Sequence, residues 1–486
     1  MQIKTIIMLL VILLIAFYTF HTSFVTSIYG DELKTIWVGE SAVNKTGNIL
    51  NVSATEQSYL FATIVYNIFY NAIGLDGSYY YILSFLTRFI ATITFFWFLE
   101  KRGLKKTSAF IGALIFMVTP IGIETTGWAK NFDSYLGISI FLLILNVCLE
   151  LKNKRDSIKI ILLTQLVIVI NTIRSHGVLI TTLGLLCFLA YFKAKQRRLL
   201  LVTAFLLLIL YLFTAQLPIF GGQSGNLFVN FDLSDFVYSF FGNIGNTILP
   251  NVNSNLLSFS RSFYLGFIFF VGTTFFLLRQ IHKKSTSINH LIFISYLLSF
   301  SFMIMPLVRI PQIHADSEHR YLIYSALSVP IVISAVFEKV IYSKLKYQFK
   351  YLLFSLTLFL IIVFIIQSRF YLELQNWAHG EEHFTNIWTQ ITNQINSNEV
   401  KKSFSFIILT DPESYPIVNS TVSFGSDYHI GLLYNIWEEE NLPEVWISQS
   451  LEFNRSNLPE ILFAEERTPL IFKIYKTNVE RISPIL

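Results

Sequence analysis

Apolar runs of about 20 residues, the length a helix needs to cross the hydrocarbon core of a bilayer, recur from the N-terminus to about residue 367. No soluble fold can hide so many of them. Their boundaries predict about eleven spans, at 5–28, 78–99, 107–123, 135–151, 157–173, 177–192, 199–216, 262–278, 287–305, 321–338 and 350–367. The bulk composition agrees. Of the 486 residues, 53% are hydrophobic and 14% charged, against roughly 45–50% and about 25% in soluble domains. The first run continues through Phe24, Val25 and Ile28 without a small-residue cleavage site, so a span is expected there rather than a secretory signal. Cys148 and Cys187 both fall inside expected spans, which leaves no disulfide framework and no CxxC metal motif.

Lys and Arg are dense in every second loop: 100–106 (Lys101, Arg102), 152–159 (Lys154, Arg155), 193–198 (Arg197, Arg198), 279–284 (Lys283, Lys284) and 339–350 (Lys344, Lys346). Because cytoplasmic loops carry that excess, the alternation predicts a cytoplasmic N-terminus. It places 29–77, 124–134, 217–261, 306–320 and the tail outside. The formal net charge of +5 is scattered over these loops and forms no stripe, which argues against a nucleic-acid partner. The abundance of Ile, Phe, Lys and Asn resembles the product of an AT-rich bacterial genome, so the expected location is the bacterial cytoplasmic (inner) membrane. The apolar stretch Tyr59 to Ala72 is short and reads as a helix lying on the outer leaflet, with a second crossing as the competing reading.

Beyond residue 367 the chain changes character. A β-like run from Phe404 to Thr410, turn signals at Asp411, Pro412 and Gly425, and a helical stretch from Gly431 to Glu440 predict a small α/β domain. The expected fold is therefore an α-helical multi-pass membrane protein with a small C-terminal extracytoplasmic α/β domain. The transmembrane domain is expected over 1–367 and the extracytoplasmic domain over 368–486.

Ionisable groups are costly at membrane depth, so their grouping at the external turns is informative. Asp31 and Glu32 follow the first span, where a carboxylate can serve as general base toward a hydroxyl or can simply mark a solvated helix end. The loop 124–133 holds Glu124, Lys130 and Asp133 with Trp128. It can hold a phosphate, a metal or a sugar hydroxyl, or can anchor the interface. Arg174 stands in a tight turn at the membrane rim, placed for a phosphate or for snorkelling. The densest group is Arg309, His314, Asp316, Glu318, His319, Arg320 and Tyr321, which can neutralise a phosphate leaving group. His314 and His319 with Asp316 can alternatively hold a divalent metal, although their spacing is no zinc pattern.

The layout resembles the GT-C class of membrane glycosyltransferases, in particular the branch of protein O-mannosyltransferases and lipid A aminoarabinose transferases. Four short motifs carry the resemblance: Asp31 with Glu32 in the first external loop, Leu86 to Phe89 with its Arg88, Thr119 and Pro120 before an acidic loop, and His319 to Leu322 with Pro330 farther on. The likeness implies a polyprenyl-phosphate sugar as donor, inversion at the anomeric carbon, and a glycan, lipid or protein acceptor outside the membrane. It further implies Asp31 as general base, Glu32 as its orienting or metal-binding neighbour, and Arg320, Arg174 and Lys130 on the donor phosphate. Some members of the class need a divalent metal and others do not. Arg309 and the two histidines have no counterpart in it. The rival readings are a polysaccharide polymerase or ligase using lipid-diphosphate glycans, and a transporter, although no pair of Gly/Pro-broken spans in matching halves favours the latter.

Overall fold

The computed structural model describes residues 3–52, 60–121, 132–150, 233–248, 256–282, 325–344, 346–395, 404–422, 425–452 and 468–482, with scattered positions between 129 and 209 and residues 295 and 323. In chain order these form α1 (Ile3–Phe20), α2 (Asp31–Thr46), α3 (Leu60–Ile73), α4 (Gly77–Lys101), α5 (Lys106–Val118) and α6 (Phe132–Glu150). There follow α7 (Leu233–Ile248), α8 (Leu256–His282), α9 (Ser328–Ile341), α10 (Tyr347–His379) and α11 (Glu381–Asn393). The tail adds β1 (Phe404–Thr410), α12 (Tyr415–Val422), α13 (Ser426–Tyr434), β2 (Glu444–Ser448), β3 (Thr468–Tyr475) and β4 (Asn478–Ile482). The spans expected at 157–173, 177–192 and 287–305 lie almost wholly outside the described residues, as does most of 199–216.

Three helical stretches among the described residues are long and apolar enough to cross a bilayer: Ile3–Val25, Gly77–Lys101 and Tyr347–Glu373. Along the last of these, Phe354, Phe359 and Ile366 are at least half exposed. A water-facing surface would not tolerate such a run, whereas lipid does. Helix α3 has 14 residues, about 21 Å of length, which falls short of a core of about 30 Å. Two differences from expectation have local causes. The span expected over 107–123 is helical only to Val118, because Pro120 has no N–H and its ring clashes with the preceding turn. The loop expected over 217–261 contains the 16-residue helix α7.

The chain divides into two compact units. The first comprises Met1–His21, Ser84–Thr126 and Asn131–Tyr371. Within it α7 and α8 cross at two glycines: a side chain on Gly245 would strike the backbone of Ser262, and one on Gly266 the carbonyl of Phe241. Small residues let the backbones approach, and edge-to-face packing of Phe241 with Phe263, Phe267 and Phe270 fills the rest of the contact. Pro120 disturbs the end of α5, and two side chains take up its last carbonyls. The Arg88 guanidinium donates to the Thr119 carbonyl at 2.6 Å and the Ser368 hydroxyl to the Val118 carbonyl at 3.0 Å. Arg88 is fully buried, with its guanidinium 4.2 Å from the ring centre of Phe20 and 5.3 Å from that of Tyr135.

The second unit comprises Thr22–Leu83, Gly127–Lys130 and Leu372–Leu486. Its sheet has the order β2-β1-β3-β4, with β1 parallel to both neighbours and β4 antiparallel to β3. A central parallel strand is covered on both faces, which is why the sequence of β1 reads as an almost unbroken apolar run. The outer edge of β4 meets two glutamines one turn apart on α11. Gln390 donates to the Thr477 carbonyl and accepts from the Val479 N–H, and Gln394 does the same with Val479 and Arg481. The side-chain amides thus occupy the place of a neighbouring strand. The helix expected from Gly431 to Glu440 lies earlier, at Ser426–Tyr434. It stops because Asn435 adopts a left-handed φ of 57° and the Ile436 N–H turns back to the Gly431 carbonyl.

Candidate active site

Asp31 and Glu32 open α2, and the chain enters that helix through Gly30 at φ 60° and ψ −127°, a conformation a Cβ would resist. Both carboxylates sit in the first turn, where the unpaired N–H groups favour negative charge. Their surroundings differ. Glu32 is fully buried and accepts the Tyr29 N–H at 3.2 Å, so it braces the entering backbone, whereas Asp31 is half-buried. The Tyr81 hydroxyl donates to the Ser27 carbonyl at 3.2 Å and fixes the strand-like approach just ahead of the turn.

Helix α2 is held on two faces. Residues 37, 41 and 45, one turn apart, meet the segment after α13: Trp37 Nε1 donates to the Ile436 carbonyl at 2.7 Å, Ser41 Oγ to the Trp437 carbonyl at 2.8 Å, and Lys45 pairs with Glu438 at 2.8 Å. On the other face Glu40 accepts from Asn67 at 2.5 Å and Asn71 at 2.8 Å of α3. Burial raises the Glu40 carboxyl above the usual range, and the Asn71 bond opposes that rise. The tail also reaches the acidic turn itself. Gly425, at φ 79°, lies so close that an added Cβ would stand 2.6 Å from the Gly30 carbonyl oxygen.

That contact yields a matched comparison. Gly47 has a similar φ of 70° with nothing within 4 Å of an added Cβ, so Gly47→Ala should cost only the left-handed strain of about 1–2 kcal/mol. Gly425→Ala is expected to cost about 1–3 kcal/mol more, because the added Cβ meets the Gly30 backbone, which cannot swing aside as a flexible side chain can. Paired thermal melts of the two variants measure the difference, and equal losses would mean that the tail does not press on the acidic turn.

Of the other residues singled out by sequence, Asp133 is buried in the first turn of α6, with the Ser134 hydroxyl donating to it at 3.5 Å. Glu124, Lys130, Arg174, Arg309, His314, Asp316, His319 and Arg320 lie outside the described residues. Among the described residues no three His, Cys, Asp or Glu side chains gather as a metal site. Sequence reasoning missed α2 itself and its anchors Trp37, Ser41 and Gly425. The readable signals were the glycine just ahead of Asp31 and the second glycine ahead of Ser426 and Asp427.

No family model matches the sequence, and no curated protein matches it. Among solved structures the chain is similar to ArnT from Cupriavidus metallidurans in the apo state, with a TM-score of 0.51 and 9% identity over 96% of this chain and 92% of that one. A second structure of that protein, bound to undecaprenyl phosphate, aligns over the same shares at 9% identity and a TM-score of 0.49. The present chain shares the fold of that protein, with three helical stretches among the described residues long and apolar enough to cross a membrane and a small C-terminal sheet.

Proposed function

We propose that this chain is a glycosyltransferase that moves a sugar from a polyprenyl-phosphate-linked donor to a glycan, lipid or protein acceptor at the outer face of the membrane, with Asp31 as general base. One observation carries the reading. In a GT-C fold, two adjacent carboxylates open a helix that is anchored on both sides, one half-buried and one fully buried against the backbone. The acceptor hydroxyl gives its proton to the Asp31 carboxylate while its oxygen attacks the anomeric carbon from the face opposite the phosphate. The bond from that carbon to the phosphate oxygen breaks, polyprenyl phosphate leaves with the electron pair, and the configuration inverts.

In this reading Arg320, Arg174, Lys130 and Arg309 stabilise the charge that grows on the phosphate. Glu124 and Asp133 form a second acidic site toward the acceptor, and His314, His319 and Asp316 are the residues that would hold a divalent metal. The N-terminus is cytoplasmic, and 368–486 form the extracytoplasmic domain that shapes acceptor access. Purified protein in lipid, given a panel of radiolabelled polyprenyl-phosphate sugars, is expected to transfer label from at least one. Turnover of a lipid-diphosphate glycan with no transfer from any monophosphate donor would replace this reading with a polymerase.

A further inference from the structure

A cavity of about 190 Å³ lies within the second unit, between the turn after α1, the start of α4, helix α11 and helix α13. Three buried polar atoms of its lining residues, Ser27 Oγ, Trp388 Nε1 and His429 Nδ1, have no hydrogen-bond partner among the described residues. Buried donors and acceptors of this kind are almost always satisfied, so three of them on the residues of one cavity wall mark it as a place suited to a polar guest. Trp388 and His429 are about 95% buried. The His429 ring stacks on Phe384 at 5.2 Å and 4°, and Trp388 lies 4.4 Å from it, which gives the cavity an aromatic wall.

The charge of the lining decides the ligand class. Among the described residues no Asp, Glu, Lys or Arg lines the cavity, and burial pushes the His429 imidazole down to about 3, so it is neutral near pH 7. A phosphate or carboxylate would therefore enter without a counter-charge, at a cost of several kcal/mol. Bulk water is the plain alternative, and the volume corresponds to about six water molecules. An indole N–H, a hydroxyl and a neutral imidazole nitrogen beside flat aromatic faces suit a ring that carries hydroxyls on its rim and C–H groups on its faces. We infer that the cavity is a subsite for one uncharged sugar ring, carried by the acceptor. The ligand class stands on the cavity alone, whereas the acceptor role rests on the transferase reading.

Saturation-transfer NMR on the full chain in lipid nanodiscs tests this with methyl β-glucopyranoside, methyl α-mannopyranoside and methyl N-acetyl-β-glucosaminide. Glucose 6-phosphate serves as the charged comparator. Leu433 lines the cavity and is 41% exposed, so Leu433→Trp can fill the space without disturbing the core. At least one neutral glycoside is expected to bind, at least tenfold more weakly to Leu433→Trp and to Trp388→Phe, and with unchanged affinity to Asp31→Asn. Binding indifferent to both cavity variants, no binding at all, or equal binding of the phosphate ester would overturn the subsite. Glycoside binding in a protein that transfers no sugar would uphold the ligand class and overturn the acceptor role.

Protonation of His429 supplies a separate check on the same wall. Its folded-state value of about 3 lies below the ordinary 6.5, so the unfolded chain takes up the proton first. Stability from this group is complete above about pH 6.5 and is lost as pH falls toward 3. At pH 5 part of that stability is already lost. Melting curves at pH 7.5 and pH 5 should therefore converge in His429→Phe relative to wild type, and an unchanged difference between them would remove the buried neutral imidazole.

Discussion

Asp31→Asn is expected to lower sugar transfer by about 10²- to 10⁴-fold, the range a general base contributes, while the fold survives. Asparagine keeps the volume and the hydrogen-bonding shape at the first turn of α2 and gives up only the charge at the helix start, about 0.3–1 kcal/mol. Glu32→Gln should behave in the opposite sense. Its side chain is buried and bonded to the Tyr29 N–H, and an amide oxygen can still accept that bond. A modest fall in rate and a measurable fall in stability are therefore expected. Initial rates and melts on the two variants separate the roles, and full activity in Asp31→Asn with none in Glu32→Gln would exchange them.

Replacement of Arg88 carries the largest expected structural effect. Truncation to alanine leaves the Thr119 carbonyl without its charged donor, about 1–3 kcal/mol, and removes two ring contacts worth about 0.5–2 kcal/mol each. It also opens a cavity where the largest fully buried side chain stood. Relief from burying a cation offsets part of this, so the net loss should be about 3 kcal/mol or more. Arg88→Lys is expected to restore less than half, because an ammonium is a point charge that cannot lie flat between Phe20 and Tyr135 while reaching Thr119. An apparent Tm lowered by about 3 °C or more in Arg88→Ala, with little recovery in Arg88→Lys, is the expected result. Full recovery by lysine would show that charge alone matters at this position.

Hydrophobic length made the bilayer-crossing helices legible, and the unbroken apolar run from Phe404 to Thr410 gave β1 residue for residue. Acidic residues beyond the first span marked the candidate turn. The helix they open was not legible. α2 has no single apolar stripe because it is gripped on two faces, by asparagines of α3 on one and by backbone carbonyls of the tail on the other. Backbone acceptors leave no trace in the identity of the residues that supply them. The same holds for the carbonyls beside Pro120: the sequence displays Arg88 and Ser368 but not their targets. The misplaced tail helix has a third cause. Asn435 stops α13 through a left-handed backbone, a conformation that the residue type permits but does not dictate.

Trp37 is anchored by a carbonyl 399 residues later in the chain. At about 5–20 residues per second of synthesis, a ribosome needs about 20–80 s to reach that partner after making α2. Throughout that interval the acidic turn exists without its clasp. The catalytic competence proposed for this chain is therefore a late event of biogenesis, and a nascent chain stalled before Ile436 would be inserted but inactive.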